Sequence, residues 1–177
     1  MQALGRTLRR ILDALYTAGG IIAALCLIMI LIIIVLQMSA RWTGQVIPGS
    51  TDYAGYFMAA ASFFAFAHAL NHGAHIRVSI LLNNLGKYRF WGELWCFGIG
   101  TALSTYFAWY AVKAVYWSRK LNDISQGQDA TPIWIPQMAM AIGTCLLALA
   151  FADHLFRLIF AGSHGIKADT VEQSHGE

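Results

Sequence analysis

The sequence predicts an all-α membrane protein: four transmembrane helices, with a short amphipathic helix lying in the interface between the second and third. Three observations lead there. Hydrophobic residues make up 58% of the chain and charged residues only 12%, against about 25% charged in soluble domains. So few charges cannot cover a water-facing surface, and a soluble fold would expose large apolar patches. Four stretches carry no Asp, Glu, Lys or Arg, namely Ala14–Ala40, Tyr53–Ile76, Leu94–Val112 and Ala130–Ala152; about 20 helical residues cross a hydrocarbon core of about 30 Å. Finally, the basic residues fall in small groups at the ends of these stretches, where they anchor helix ends, and form no stripe interleaved with aromatics of the kind that binds nucleic acid.

The first span, about 14–40, is the clearest, because Ile21–Leu36 is interrupted only by the thiol of Cys26. Its β-branched second half would favour strand in water, but in lipid an unpaired strand leaves its amides unsatisfied and helix results. Arg6, Arg9 and Arg10 precede it as in a signal peptide, yet the apolar region is too long and no A-x-A-like site follows cleanly. Pro48-Gly49 then marks a turn, and Ser50, Thr51 or Asp52 is placed to cap the second span, about 53–72, with negative charge at its dipole-positive start. Within that span Gly55 and Ala59, then Ala61, Ala65 and Ala69, form small-xxx-small rows suited to close helix approach.

Val78, Leu81, Leu82 and Leu85 recur at helical spacing before Gly86, which predicts the interfacial helix over about 76–86. The third span is expected at about 91–115, entered by Tyr88, Trp91 and Trp95 and left by Tyr116 and Trp117 at headgroup level. Thr131-Pro132 opens the fourth, about 133–160, with Trp134 at its edge and Pro136 tolerated in its first turn. Residues 1–162 then form one domain and 163–177 a flexible cytoplasmic tail. With both termini cytoplasmic, eight of the twelve Lys and Arg lie inside, which sets the orientation.

Ionisable groups inside a membrane raise a functional question by default. Asp153 and Arg157, four apart with the acid first, form an intrahelical ion-pair candidate near the cytoplasmic end of the fourth span. Glu93 and Lys113 sit at opposite ends of the third, within reach of the interfaces. His68, His72 and His154 lie at comparable depth, and two facing histidines could hold a b-type haem, which keeps a haem-bearing membrane anchor as one alternative. A self-associating small channel or exporter is another. Cys26, Cys96 and Cys145 read as small buried hydrophobes, and no nucleotide-binding, metalloprotease or serine-hydrolase motif occurs. No enzyme activity, cofactor or metal is expected.

The segment His75-Ile76-Arg77-Val78, the acid Asp52 opening the preceding helix, the run Ile80-Leu81-Leu82 with Leu85, and Thr131-Pro132-Ile133-Trp134-Ile135-Pro136 lie in an order that spans nearly the whole chain. In these the sequence resembles the DctQ-type small membrane subunit of tripartite ATP-independent periplasmic (TRAP) transporters. It departs from that family at Ser79, where an acid is usual, and at Asp52, where glutamate is usual. The resemblance implies a bacterial inner-membrane importer of organic acids driven by an ion gradient. A periplasmic protein delivers the substrate transiently, a large membrane subunit carries the substrate site, and this chain packs beside the large subunit, among lipids, as stationary scaffold. It also implies structural or subunit-contact roles for Asp52, His75, Arg77, Val78, Pro132, Trp134 and Pro136, and places no substrate site in this chain.

Overall fold

The computed structural model describes residues 2–71, 89–127 and 130–161, with side chains placed in 9–71, 90–127 and 130–159. The predicted interfacial helix, His72, His75, Arg77, Val78 and the 163–177 tail lie outside the described residues. Among the described residues there are four helices: α1 (Gln2–Trp42), α2 (Ser50–Asn71), α3 (Arg89–Leu121) and α4 (Trp134–Ala161). Among the described residues there is no strand; Ile124 and Pro132 form one isolated antiparallel bridge.

Three of the helices, α1, α2 and α4, are long and apolar enough to cross a membrane. The third, expected as a span like the others, falls short of that apolarity despite its 33 residues. Its uncharged stretch is interrupted by Gly, Ser, Thr and Tyr side chains, which lower hydropathy without adding charge. Helix α1 also begins a dozen residues before its predicted span. Its amphipathic first turns carry an Arg9–Asp13 pair one turn apart, 3.9 Å between Nε and Oδ2.

Chain reversals follow from local chemistry. Gly44, with φ +76°, ends α1 in the left-handed conformation that glycine adopts without a Cβ penalty. The Gln45 amide then bonds the Ala40 carbonyl at 2.9 Å and the Gly44 amide that of Arg41 at 3.2 Å, the paired bonds of a Schellman cap. Asn122, with φ +52°, does the same for α3, and the Asp123 amide reaches the Ser118 carbonyl at 3.0 Å. Before α2 the Ser50 hydroxyl turns back to the Ile47 carbonyl at 3.1 Å, and the helix ladder starts from the Gly49 carbonyl. Pro136 is the third residue of α4, inside the first turn.

The helices stand in an open row, α1–α2–α4–α3, and not in a closed bundle. Extensive contact joins α1 to α2, α2 to α4, and α4 to α3, whereas α1 touches α4 only slightly and α3 not extensively at all. The row is tight where glycines meet backbone. A Cβ on Gly19 of α1 would lie 3.0 Å from the Phe64 carbonyl oxygen, and one on Gly143 of α4 would lie 2.7 Å from the backbone of Phe63. Neighbouring helices thus close on α2 from two sides at adjacent residues, the close approach that small residues permit in lipid. Tyr16, Ala67, Leu70 and Ala150 form the buried cluster, flanked by Leu12, Leu146, Leu147 and Phe151.

Candidate subunit-contact surfaces

Both described loops, 43–49 and 122–133, lie at one end of the row, where three side chains from the first two turns of α2 meet the α3–α4 loop. The Tyr56 hydroxyl donates to Ser125 Oγ at 2.6 Å, and Ser125 Oγ accepts from the Gly127 amide at 3.2 Å. Tyr53 approaches Thr131 with 3.5 Å between oxygens. The Asp52 carboxylate lies against Gly127 so closely that any Cβ there would overlap it. Two backbone hydrogen bonds tie the base of the loop, from the Ser125 amide to the Thr131 carbonyl at 2.7 Å and from the Ile133 amide to the Asp123 carbonyl at 3.1 Å. Asp52 is half-buried against this loop. Pro132 is exposed beside it, Pro136 is half-buried, and Trp134 is half-buried under the Arg119 guanidinium, 5.5 Å from ring centroid.

At the opposite end, Arg157 grips Asp153 with two contacts, Nε to Oδ1 at 3.1 Å and Nη2 to Oδ2 at 2.5 Å, each side chain 17% exposed. Tyr16 is fully buried within electrostatic reach of this pair. His154 is fully buried and packs its ring on Phe97 of α3 at 5.9 Å, while the His68 ring lies over Gly20 of α1. The two histidines thus engage different outer helices. Glu93, expected to reach the interface, is instead buried: it falls on the same seam of α3 as Phe97 and Gly100, the seam that packs on α4. Among the described residues no group of three His, Cys, Asp or Glu is arranged to hold a metal ion.

A family model described as the DctQ component of tripartite ATP-independent periplasmic transporters matches residues 29–161, well over half of the chain. The chain belongs to the DctQ family. Neither a curated protein nor a solved structure matches it. This DctQ chain is accordingly a membrane component of a tripartite transporter, and its surfaces are to be read against lipid and partner subunits.

Of the small residues singled out on α2 of the DctQ chain, Ala61 is buried, Ala65 and Ala69 are partly buried, and Gly55 and Ala59 are exposed, with open space around Gly55. The closest helix contacts use Gly19, Gly20, Gly100 and Gly143 instead. Those glycines lie on α1, α3 and α4, outside the small-residue rows of α2. The buried seam of α3 is Glu93, Ser104, Ala108, Ala111 and Ser118, with partly buried Phe97 and Gly100 between, at spacings of three, four or seven residues, while Trp91, Trp95, Tyr106, Trp109, Tyr110 and Tyr116 are exposed.

Proposed function

We propose that this chain is the small scaffold subunit of a TRAP importer, packed against the large permease subunit in the bacterial inner membrane. In this reading all four helices cross the bilayer and both termini are cytoplasmic. The third crosses as part of a hairpin with α4: its uncharged 94–112 stretch reaches about 28 Å at about 1.5 Å per residue, and α4 packs extensively against it. The clasp of Asp52, Tyr53 and Tyr56 on the α3–α4 loop then faces the periplasm, where the substrate-binding protein docks transiently. The large subunit supplies the substrate site and uses an ion gradient to import an organic acid.

The observation that carries the reading is the family match across 29–161. The open row supports it physically. An elevator-like transport domain needs a frame wider than itself, and four helices standing side by side widen a frame more than a closed bundle of the same helices.

The test is reconstitution. This chain alone in vesicles is expected to be inert. With the large subunit and the binding protein it is expected to support substrate uptake, and a tagged copy is expected to retain the large subunit through detergent purification. Solute flux through vesicles holding only this chain would sink the proposal in favour of a self-associating channel.

A further inference from the structure

From the two edges of the row we infer that the outward face of α3 is the surface that seats a transmembrane helix of the large subunit, while α1 faces lipid. The inference rests on the scaffold reading above and goes beyond it by choosing the face. The two edge helices bury equally narrow seams but expose unlike surfaces. From Ile21 to Leu36, α1 shows Leu25, Leu27, Ile28, Leu31, Ile32 and Val35, with no nitrogen or oxygen on any exposed side chain. Liquid hydrocarbon covers such a surface at no cost.

Helix α3 shows the reverse. Leu103 stands at the middle of its uncharged stretch, and Tyr106, 64% exposed, is one turn further on; Trp95, Trp109 and Tyr110 are exposed on either side. Tyr106 and Tyr110 lie side by side, with ring centroids 4.7 Å apart and planes tilted by 48°. Each phenol carries a donor and acceptor hydroxyl on a face where the hydrocarbon of lipid has no partner to offer. Headgroup-level belts account for Trp91, Trp95 and Trp117, not for Tyr106 one turn from the middle. The shortfall in apolarity of α3 has the same cause and the same remedy, a protein neighbour. Trp95, Gly98, Ile99 and Ala102 also border a shallow apolar groove of about 360 Å³ on this face, space for side chains of a packed helix.

A photoreactive phenylalanine analogue tests the assignment when placed singly at Leu103 or Tyr106 on α3 and at Leu31 or Val35 on α1, in membranes holding the whole transporter. Irradiation is expected to join the α3 positions to the large subunit at least about tenfold more than the α1 positions. Equal or greater joining from α1 overturns the inference and leaves the scaffold reading standing, as does an α3 adduct with lipid alone or with a second copy of this chain. Failure of the unmodified chain to retain the large subunit overturns both. In addition, Ala102→Leu fills the groove and is expected to lower recovery of the large subunit about tenfold, or about 1.4 kcal/mol, at unchanged membrane level of this chain. Leu31→Phe is expected to leave recovery unchanged. Full recovery with Ala102→Leu overturns the assignment.

Discussion

Helices α1 and α3 occupy equivalent places at the two edges of one row, yet they are built on opposite plans. Along α1 the inward seam is Tyr16, Gly19, Ala23 and Cys26, continued by the partly covered Ile30, Ile33, Gln37 and Ala40, and from Ile21 to Leu36 every other side chain is apolar and non-aromatic. Along α3 Ser104, Ser118 and Glu93 are buried, while Trp95, Tyr106, Trp109 and Tyr110 are exposed and Phe97 alone of the mid-helix rings packs on α4. In water this arrangement would be inside out. In lipid the solvent is as apolar as leucine, so size and hydrogen bonding, not polarity, select the inward residues. Both seams obey that rule. The outward faces differ because they report what lies outside each helix, which water-based reasoning about amphipathicity does not read.

The sharpest way to break the comparison is to load both kinds of surface with the same bulk. Gly143→Leu puts a side chain where the Phe63 backbone stands 2.7 Å from the position of the first added carbon. Backbone cannot yield as a side chain does, so a loss of about 3 kcal/mol is expected, enough to remove most folded chain from detergent. Gly98→Leu, with nothing within 4 Å on the outward face of α3, is expected to leave the isolated chain as stable as before. Tryptophan fluorescence through a titration from mild to denaturing detergent measures both. Equal losses would mean that the outward face of α3 is already packed within this chain.

The next largest effect concerns the ion pair. Asp153→Ala strands the Arg157 guanidinium in a setting only 17% exposed. A loss of about 2 kcal/mol is expected, below the ~3–5 kcal/mol of a fully enclosed pair because headgroups reach the last turn of α4. Asp153→Leu combined with Arg157→Leu is expected to recover most of it. The same detergent titration decides, and a double variant as unstable as the single one would assign the pair a role beyond self-neutralisation.

How much of this was legible beforehand follows from what each signal depends on. The helices themselves, the Pro48-Gly49 turn and the i,i+4 spacing of Asp153 and Arg157 are local patterns; four helices follow in the expected order, with α1 and α3 longer than their predicted spans, and the Asp153–Arg157 contact is present. The span of α3 was less legible, because hydropathy counts Tyr and Ser as losses without knowing which face they take. The row order was not legible, since the seams of α1 and α3 look alike at three- and four-residue spacing. Nor was the clasp: Tyr56 and Ser125 are 69 residues apart, and nothing local to either announces the other.

That clasp yields a smaller effect. Tyr56→Phe removes the 2.6 Å bond to Ser125 while keeping the ring, and about 1 kcal/mol is expected from one hydrogen bond at a partly covered site. Protease cleavage within 122–133 is expected to quicken, since this bond ties the tip of the loop to α2. Unchanged cleavage would leave the Asp123–Ile133 and Ser125–Thr131 backbone bonds as the whole restraint.

The smallest effects discriminate best between the two edges. Leu31→Ile and Ile32→Leu exchange one exposed aliphatic surface of α1 for another, and neither is expected to move stability by more than about 0.5 kcal/mol, alone or in the assembled transporter. Tyr106→Leu also alters an exposed residue, and in the isolated chain it is expected to be equally mild, because it gives up one phenol pair but makes the face easier for lipid to cover. In the assembled transporter the same change removes polar contacts from a seat shaped for protein, so its cost should appear only there, as weaker retention of the large subunit. A residue whose importance depends on assembly, beside one whose importance is small in both states, is what separates a partner-facing edge from a lipid-facing one.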